Sequence, residues 1–169
     1  MAIKRYIANE DNTITDALKS NLIDSGTLAN MGESDILEIF SIRGQATSSS
    51  LEISRALTNF PVSTIVSDRS AGTIPKSGSA NFVLRLSNAP HSETTPIKFN
   101  VTVQPISRSW EEGFGLDMEE YKDLGASNWI SSSTGVSWTT QGGDYLTSSN
   151  YNVYFPSGDE DLEVDITDL

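Results

Sequence analysis

The chain has 169 residues, no cysteine and a net charge of −12. The length suits one domain, residues 1–169, with enough buried area to fold by itself. The acidic excess opposes binding to nucleic acid or to an acidic membrane surface, because no basic stripe is present to displace counterions. The lack of cysteine excludes disulfides, thiol catalysis and thiolate metal sites.

The start of the chain predicts a short strand at residues 3–7 and then a helix at residues 13–22. Ile14, Leu18 and Leu22 recur every fourth residue, which would place one apolar stripe on the body of the domain. No apolar stretch long enough for a secretory signal follows the basic pair Lys4-Arg5, and no transmembrane run occurs. We therefore expect no signal peptide and no membrane insertion.

The middle of the chain is typical of strands separated by turn-rich connections. Residues 80–87 and 97–106 alternate apolar and polar side chains, as half-buried strands do. Further strands are predicted at residues 35–42 and 51–60, and residues 61–79 form a long connection. About seven strands at such spacings predict an all-β fold, an antiparallel β-sandwich of jelly-roll-like character with one or two short helices.

The last stretch, residues 159–168, predicts a strand with one apolar and one acidic face. The apolar side chains are Leu162, Val164 and Ile166, and the acidic row consists of Asp159, Asp161, Glu163 and Asp165. A solvated face that keeps the protein soluble is the preferred interpretation. The alternative is that these four carboxylates bind Ca²⁺, although they lack EF-hand spacing.

Residues 107–143 form the most distinctive segment, which we call the tryptophan loop. It contains all three tryptophans, six carboxylates and two basic residues. Indole rings bury a large area and need a partner for the ring N–H, so three of them predict an ordered, packed loop across a β scaffold. Within it, residues 117–124 predict a short helix that ends at Gly125.

Six short motifs in order resemble the DNRLRE-type domain, a disaggregatase-related β-sandwich akin to a carbohydrate-binding module. The motifs are MGESDIL at 31–37, SRALTNF at 54–60, FVLRL at 82–86, SWEEG at 109–113, GVSW at 135–138 and VDITDL at 164–169. Their amino-acid sequences are similar to those of structural proteins in the virions of marine phages. Related domains continue past the last motif. We therefore expect either a truncated or minimal version of the domain or a terminal strand that a neighbouring subunit completes.

The resemblance implies a set of structural residues, namely Arg55, Phe60, Arg85, Trp110, Glu112, Trp138 and Asp165. Glu112 would accept backbone N–H groups or pair with Arg85 or Arg55. Both arginines lie in predicted strands, and we expect their guanidinium groups to be partly buried in bidentate pairs.

The expected function is that of a non-enzymatic structural protein of a phage virion. It would belong to the tail, neck or fibre or be associated with the capsid. It would assemble in the host cytoplasm with other virion proteins or with itself, and need no cofactor. The alternative is a carbohydrate-binding or host-adhesion module. Aromatic side chains that could contact a partner or stack on sugars are Tyr121, Trp129, Trp138, Tyr145, Tyr151 and Tyr154.

Catalysis is disfavoured. A glycosidase needs two carboxylates about 5 to 10 Å apart, and adjacent acids are common in a chain with 23 of them. His91 is the only histidine and lies in a polar turn, so a solvated loop residue is favoured over a general base.

Overall fold

The computed structural model describes residues 3–76, 78–92 and 94–169, and these form short strands and one helix. The strands are β1 (Glu10–Thr15), β2 (Ser41–Arg43), β3 (Leu51–Asn59), β4 (Val83–Leu86), β5 (Phe99–Val103), β6 (Ser131–Ser133), β7 (Val136–Ser137), β8 (Tyr151–Phe155) and β9 (Leu162–Asp165), and the helix is α1 (Val62–Ser70). The predicted all-β character is confirmed, whereas the sandwich or jelly-roll arrangement stays a prediction.

The described residues divide into two compact units. Unit 1 comprises Met1–Pro61 and Ser107–Asp144, and therefore contains the tryptophan loop. Unit 2 comprises Val62–Ile106 and Tyr145–Leu169. The prediction that residues 1–169 form one domain stays a prediction.

Unit 1 is built on a three-stranded antiparallel sheet in the order β1-β3-β2. Strand β3 is central, with Asn12 opposite Leu57 on one side and Ile42 opposite Glu52 on the other. Ile14 and Leu57 are buried, but most of the buried β1 side chains are polar. A second small element, the antiparallel pair β6–β7, lies within the tryptophan loop.

Unit 2 contains two antiparallel ribbons, β4–β9 and β5–β8. In β4–β9, Leu84 and Leu162 are buried while Arg85 and Glu163 face solvent, as the alternation predicts. In β5–β8, the rings of Phe99 and Phe155 stack with their centroids 5.2 Å apart. The strands predicted near residues 80–87, 97–106 and 159–168 are therefore confirmed, with shorter bounds.

The predicted helix at residues 13–22 is wrong, because the chain here forms β1 and then a tight turn. Thr13 and Thr15 are buried in β1, which pairs along its whole length with β3. Beyond β1, Leu22 is exposed and adopts the left-handed backbone conformation, with φ of 55°. Cross-strand pairing therefore overrides the four-residue apolar spacing.

Three further predictions are corrected. Residues 3–7 are not a strand, and residues 35–42 contribute only the start of β2. Residues 117–124 are turns and not a helix, since Asp117 Oδ1 accepts the backbone N–H groups of Glu119 and Glu120.

Helix α1 lies in the predicted connection of residues 61–79 and has no buried residue. Among the described residues, no helix is long and apolar enough to cross a membrane.

Candidate functional site: the tryptophan loop

The side-chain amide of Asn30 is the centre of the packed tryptophan loop in unit 1. Its Nδ2 group donates to the carbonyl oxygens of Glu112 (2.6 Å) and Ser127 (2.8 Å). Its Oδ1 accepts the N–H groups of Gly115 (2.8 Å) and Gly32 (3.2 Å). Asn30 is fully buried, and its bonds with Ser127 and Gly115 are buried as well, whereas those with Glu112 and Gly32 are partly buried.

Asn12 of β1 fastens the same loop to the sheet. Its Nδ2 group donates to the carbonyl oxygen (2.9 Å) and the hydroxyl oxygen (2.8 Å) of Ser127, and its Oδ1 accepts the N–H of Met31 at 2.9 Å. The two bonds to Ser127 join residues 115 positions apart in the chain. The buried amides therefore hold distant segments of unit 1 together, a role that apolar contacts have in most protein cores.

Two glycines allow the loop to approach Asn30 this closely. A Cβ atom on Gly115 would lie 1.8 Å from the backbone oxygen of Asn30, and one on Gly113 would lie 2.4 Å from the Cβ of Ala126. Gly113 also has a φ of 84°, which side chains disfavour. The glycines are thus required by close packing as well as by the turn.

Two of the three indole rings are buried. Trp129 is 6% exposed, and the guanidinium of Arg55 lies 5.0 Å from the centre of its ring. Arg55 also donates from Nη1 to the carbonyl oxygen of Gly142. Trp138 is 5% exposed, and its ring N–H donates to the carbonyl oxygen of Asn128 at 2.8 Å. Trp110 is half-buried. The expectation of a packed loop is met at Trp129 and Trp138.

The carboxylate of Asp144 closes the end of the loop. It pairs with Arg108 Nε at 2.6 Å and accepts the N–H groups of Thr139 and Thr140. Desolvation raises the pKa of Asp144, but the hydrogen bonds from Thr139, Thr140 and Arg108 outweigh this effect and lower the pKa to about 2. The ionised form therefore holds this end of the loop.

Other carboxylates of the loop also bind backbone N–H groups. Glu112 Oε1 accepts the N–H of Asp11 at 2.7 Å. Binding a backbone N–H was one of the two roles predicted for Glu112. Asp123 accepts the N–H of Phe114 and that of Gly125, each at 3.0 Å. The N–H of Glu120 is the main cause of the lowered pKa of Asp117, with desolvation opposing it. Asp117 and Asp123 therefore stabilise local turns, whereas Glu112 joins the loop to β1.

The loop also presents large apolar side chains to solvent. This apolar rim consists of Phe114, Leu116, Tyr121 and Leu124, of which Phe114 is 71% and Leu124 is 62% exposed. Asp123 binds the backbone N–H of Phe114 and Asn30 binds that of Gly115, so the backbone is held in place at these two residues of the loop. An ordered apolar surface of this kind is suited to binding another molecule.

The remaining residues of the predicted structural set are Arg85 and Asp165 in unit 2 and Phe60 in unit 1. Arg85 in unit 2 pairs with Glu163 at 2.6 Å, and both side chains are more than half exposed, so the expected burial of this arginine is wrong. Asp165 accepts from the hydroxyl and the N–H of Thr167, which lowers its pKa. Phe60 is half-buried.

The acidic row of unit 2 and the tyrosines complete the predicted set. Among residues 3–76, 78–92 and 94–169, no group of three or more histidine, aspartate or glutamate residues could hold a metal ion. Asp159 and Asp161 line an open polar cleft of about 400 Å³ that also includes the exposed His91. Tyr145 and Tyr151 are half-buried, whereas Tyr121 and Tyr154 are exposed.

Sequence reasoning missed the buried amides Asn12, Asn30 and Asn128. Asn residues are most common in turns, and Asn128 does accept the N–H groups of Ile130 and Ser131 in this way. No local pattern distinguishes a buried Asn from an exposed one, since the partners of Asn30 come from a distant part of the chain.

Comparison with known proteins adds no relative: no family model matches the chain, and neither the curated proteins nor the solved structures give a match.

Proposed function

We propose that this chain is a non-enzymatic structural protein of a phage virion, part of the tail, neck or fibre or associated with the capsid, that works by protein–protein assembly. The phage setting rests on the sequence resemblance to DNRLRE-type domains and marine phage proteins. The mode of action rests on the apolar rim of the tryptophan loop. Its partners are other virion proteins or further copies of itself. The virion that contains it is assembled in the host cytoplasm.

The observation that carries this proposal is an ordered loop that exposes the four large apolar side chains of its rim to solvent while two of its three indole rings are buried. Asn30, Gly115 and Asp123 fix the backbone, so binding at the rim orders little additional chain. Exposed aromatic and aliphatic side chains above a rigid backbone are typical anchors of protein interfaces.

The test is incorporation into particles of the virus that encodes the chain. We expect the double variant Phe114→Asp/Leu124→Asp to fold but to be lost from purified particles, because each carboxylate would have to be desolvated at the contact. The matched control Ile39→Asp/Val136→Asp changes two exposed apolar residues of unit 1 outside the rim and should be incorporated normally. Absence of the wild-type chain from particles would refute the proposal.

A carbohydrate-binding or host-adhesion module is the second candidate, and one observation favours it. Tyr121 and Tyr154 keep exposed rings that could stack on sugars, whereas Trp129 and Trp138 are buried and unavailable. Saturable binding on a glycan array that is lost in Tyr121→Ala or Tyr154→Ala would favour adhesion. A flat array would favour assembly. Product formed from a polysaccharide and lost in Glu112→Gln would overturn the non-enzymatic assignment.

A further inference from the structure

The β5–β8 ribbon of unit 2 has two faces of different chemistry. Phe99, Val101 and Val103 of β5 are at least half-buried and lie opposite Phe155, Val153 and Tyr151 of β8. The other face carries uncharged polar side chains and one aromatic ring. This amide face consists of Asn100, Thr102, Gln104, Asn150, Asn152 and Tyr154.

Side chains of the amide face hold one another in place. Thr102 Oγ1 donates to Asn152 Oδ1 at 2.8 Å, and Gln104 Nε2 donates to Asn150 Oδ1. Asn150 Nδ2 in turn donates to the carbonyl oxygen of Thr147 at 2.7 Å. Among the described residues, Asn152 Nδ2 and Gln104 Oε1 remain for bonds with another molecule. A partner would meet side chains that are already oriented.

The absence of charge on this face is significant in a chain with a net charge of −12. Two copies repel wherever their carboxylates are brought together, and such repulsion costs most at a contact that excludes water. None of the six residues of the amide face is ionised at neutral pH. Two copies can therefore meet there without opposing like charges.

Amides are also suited to a contact between identical surfaces. Each has donors and an acceptor, so one patch can satisfy an identical patch across a two-fold axis. Tyr154 is 55% exposed and adds an aromatic anchor of the kind that interfaces favour. We propose that the amide face binds the amide face of a second copy, an inference that rests on the proposed assembly function and names one of its contacts.

The contact is a weak one, as judged by its size. Five residues of a strand span about 17 Å, and two strands give a patch well below the roughly 800 Å² per partner of a standard interface. Association of the isolated chain should therefore require high concentration. In a particle that holds many copies close together, the same contact acts at a high effective concentration.

Sedimentation equilibrium of the full chain over a wide concentration range tests the proposal. The wild type should form a dimer as concentration rises, and Thr102→Asp/Asn152→Asp should weaken this association about tenfold or more. The control Thr64→Asp/Gln141→Glu adds the same charge at exposed positions outside the face and should pair nearly as the wild type does. Asn100→Asp serves as a single variant if the double variant does not fold, as judged by circular dichroism.

A mixing experiment shows whether the face binds itself. Thr102→Lys/Asn152→Lys alone should not pair, but mixed with Thr102→Asp/Asn152→Asp it should form a heterodimer tighter than the wild-type dimer. A wild type that stays monomeric at every concentration, a dimer indifferent to the aspartates, or equal loss in the control would overturn the proposal. So would a monomer that binds a neutral glycan through Tyr154.

Different results would refute the proposed assembly function and the proposed contact between amide faces. A chain that is present in particles but monomeric in solution, with particle assembly indifferent to Thr102→Asp/Asn152→Asp, refutes the contact alone. A chain absent from particles refutes the assembly function.

Discussion

The tryptophan loop of unit 1 and the β5–β8 ribbon of unit 2 use the same residue types in opposite ways. Asn30 lies outside the loop in the sequence but is buried against it, and it binds four backbone groups, three of which belong to the loop. In the ribbon, Asn152 is exposed, and stacked phenylalanines form the covered face. A buried amide that satisfies backbone groups specifies one geometry, whereas an exposed amide contributes little to folding.

The largest expected effect is that of Gly115→Ala. The new Cβ would lie 1.8 Å from the backbone oxygen of Asn30, and backbone on both sides would have to move. We expect a loss of about 4 kcal/mol or more in the free energy of unfolding, measured with urea. Gly125→Ala is the matched control, since its Cβ would meet only side-chain atoms at 3.3 Å. A small loss for Gly115→Ala would contradict the close packing of the loop on Asn30.

Asn30→Ala against Asn152→Ala compares the two amides directly. The first leaves the buried N–H of Gly115, the partly buried N–H of Gly32 and two carbonyl oxygens without the side chain that satisfies them, which should cost about 3 kcal/mol. The second removes an exposed side chain and should change stability by about 0.5 kcal/mol or less. Equal losses in urea denaturation would show that the contrast between the regions is unfounded.

Phe155→Leu tests the apolar face of the ribbon. The change removes the stacked pair with Phe99 but keeps an apolar side chain in a buried position. We expect a loss of about 1.5 kcal/mol, because the aromatic contact and some volume are lost. A loss as large as that of Asn30→Ala would mean that unit 2 is as tightly specified as the loop.

The smallest expected effect is a loss of stability at acidic pH. The pKa of Asp144 is lowered from 3.8 to about 2, so its contribution to stability is present above pH 4 and is lost as the pH falls from about 4 to about 2. Comparison of wild type with Asp144→Asn should show a stability difference that is constant at neutral pH and shrinks over this range. NMR titration should show the pKa of Asp144 raised in Arg108→Gln. An unchanged pKa would exclude Arg108 as one of its causes.

The sequence predicted the parts of the fold that depend on local alternation. Strands β4, β5 and β9 each place apolar side chains on one face, and that pattern survives in the structure. Strand β1 was missed because its buried residues are mainly polar, and their partners lie in β3 and the loop. Helix α1 buries no residue, so it has no apolar stripe from which it could be predicted.

The tryptophan loop was recognised as ordered from its indoles, but the reason for its order was not. Asn12 and Asn30 contact Ser127, which lies 115 and 97 residues away, and no spacing in the sequence indicates such a contact. The exposed rim was equally hidden, because Phe114 and Trp129 look alike as apolar residues of one loop. Only the packed structure separates anchors that point inward from those that point outward.

Hydroxyl-radical footprinting of the free chain and of the chain in purified particles shows whether the apolar rim is a contact surface. We predict that Phe114, Leu116 and Leu124 are readily oxidised in the free chain and strongly protected in the particle, while the buried Trp129 is protected in both. Equal oxidation of the rim in the two states would contradict the account.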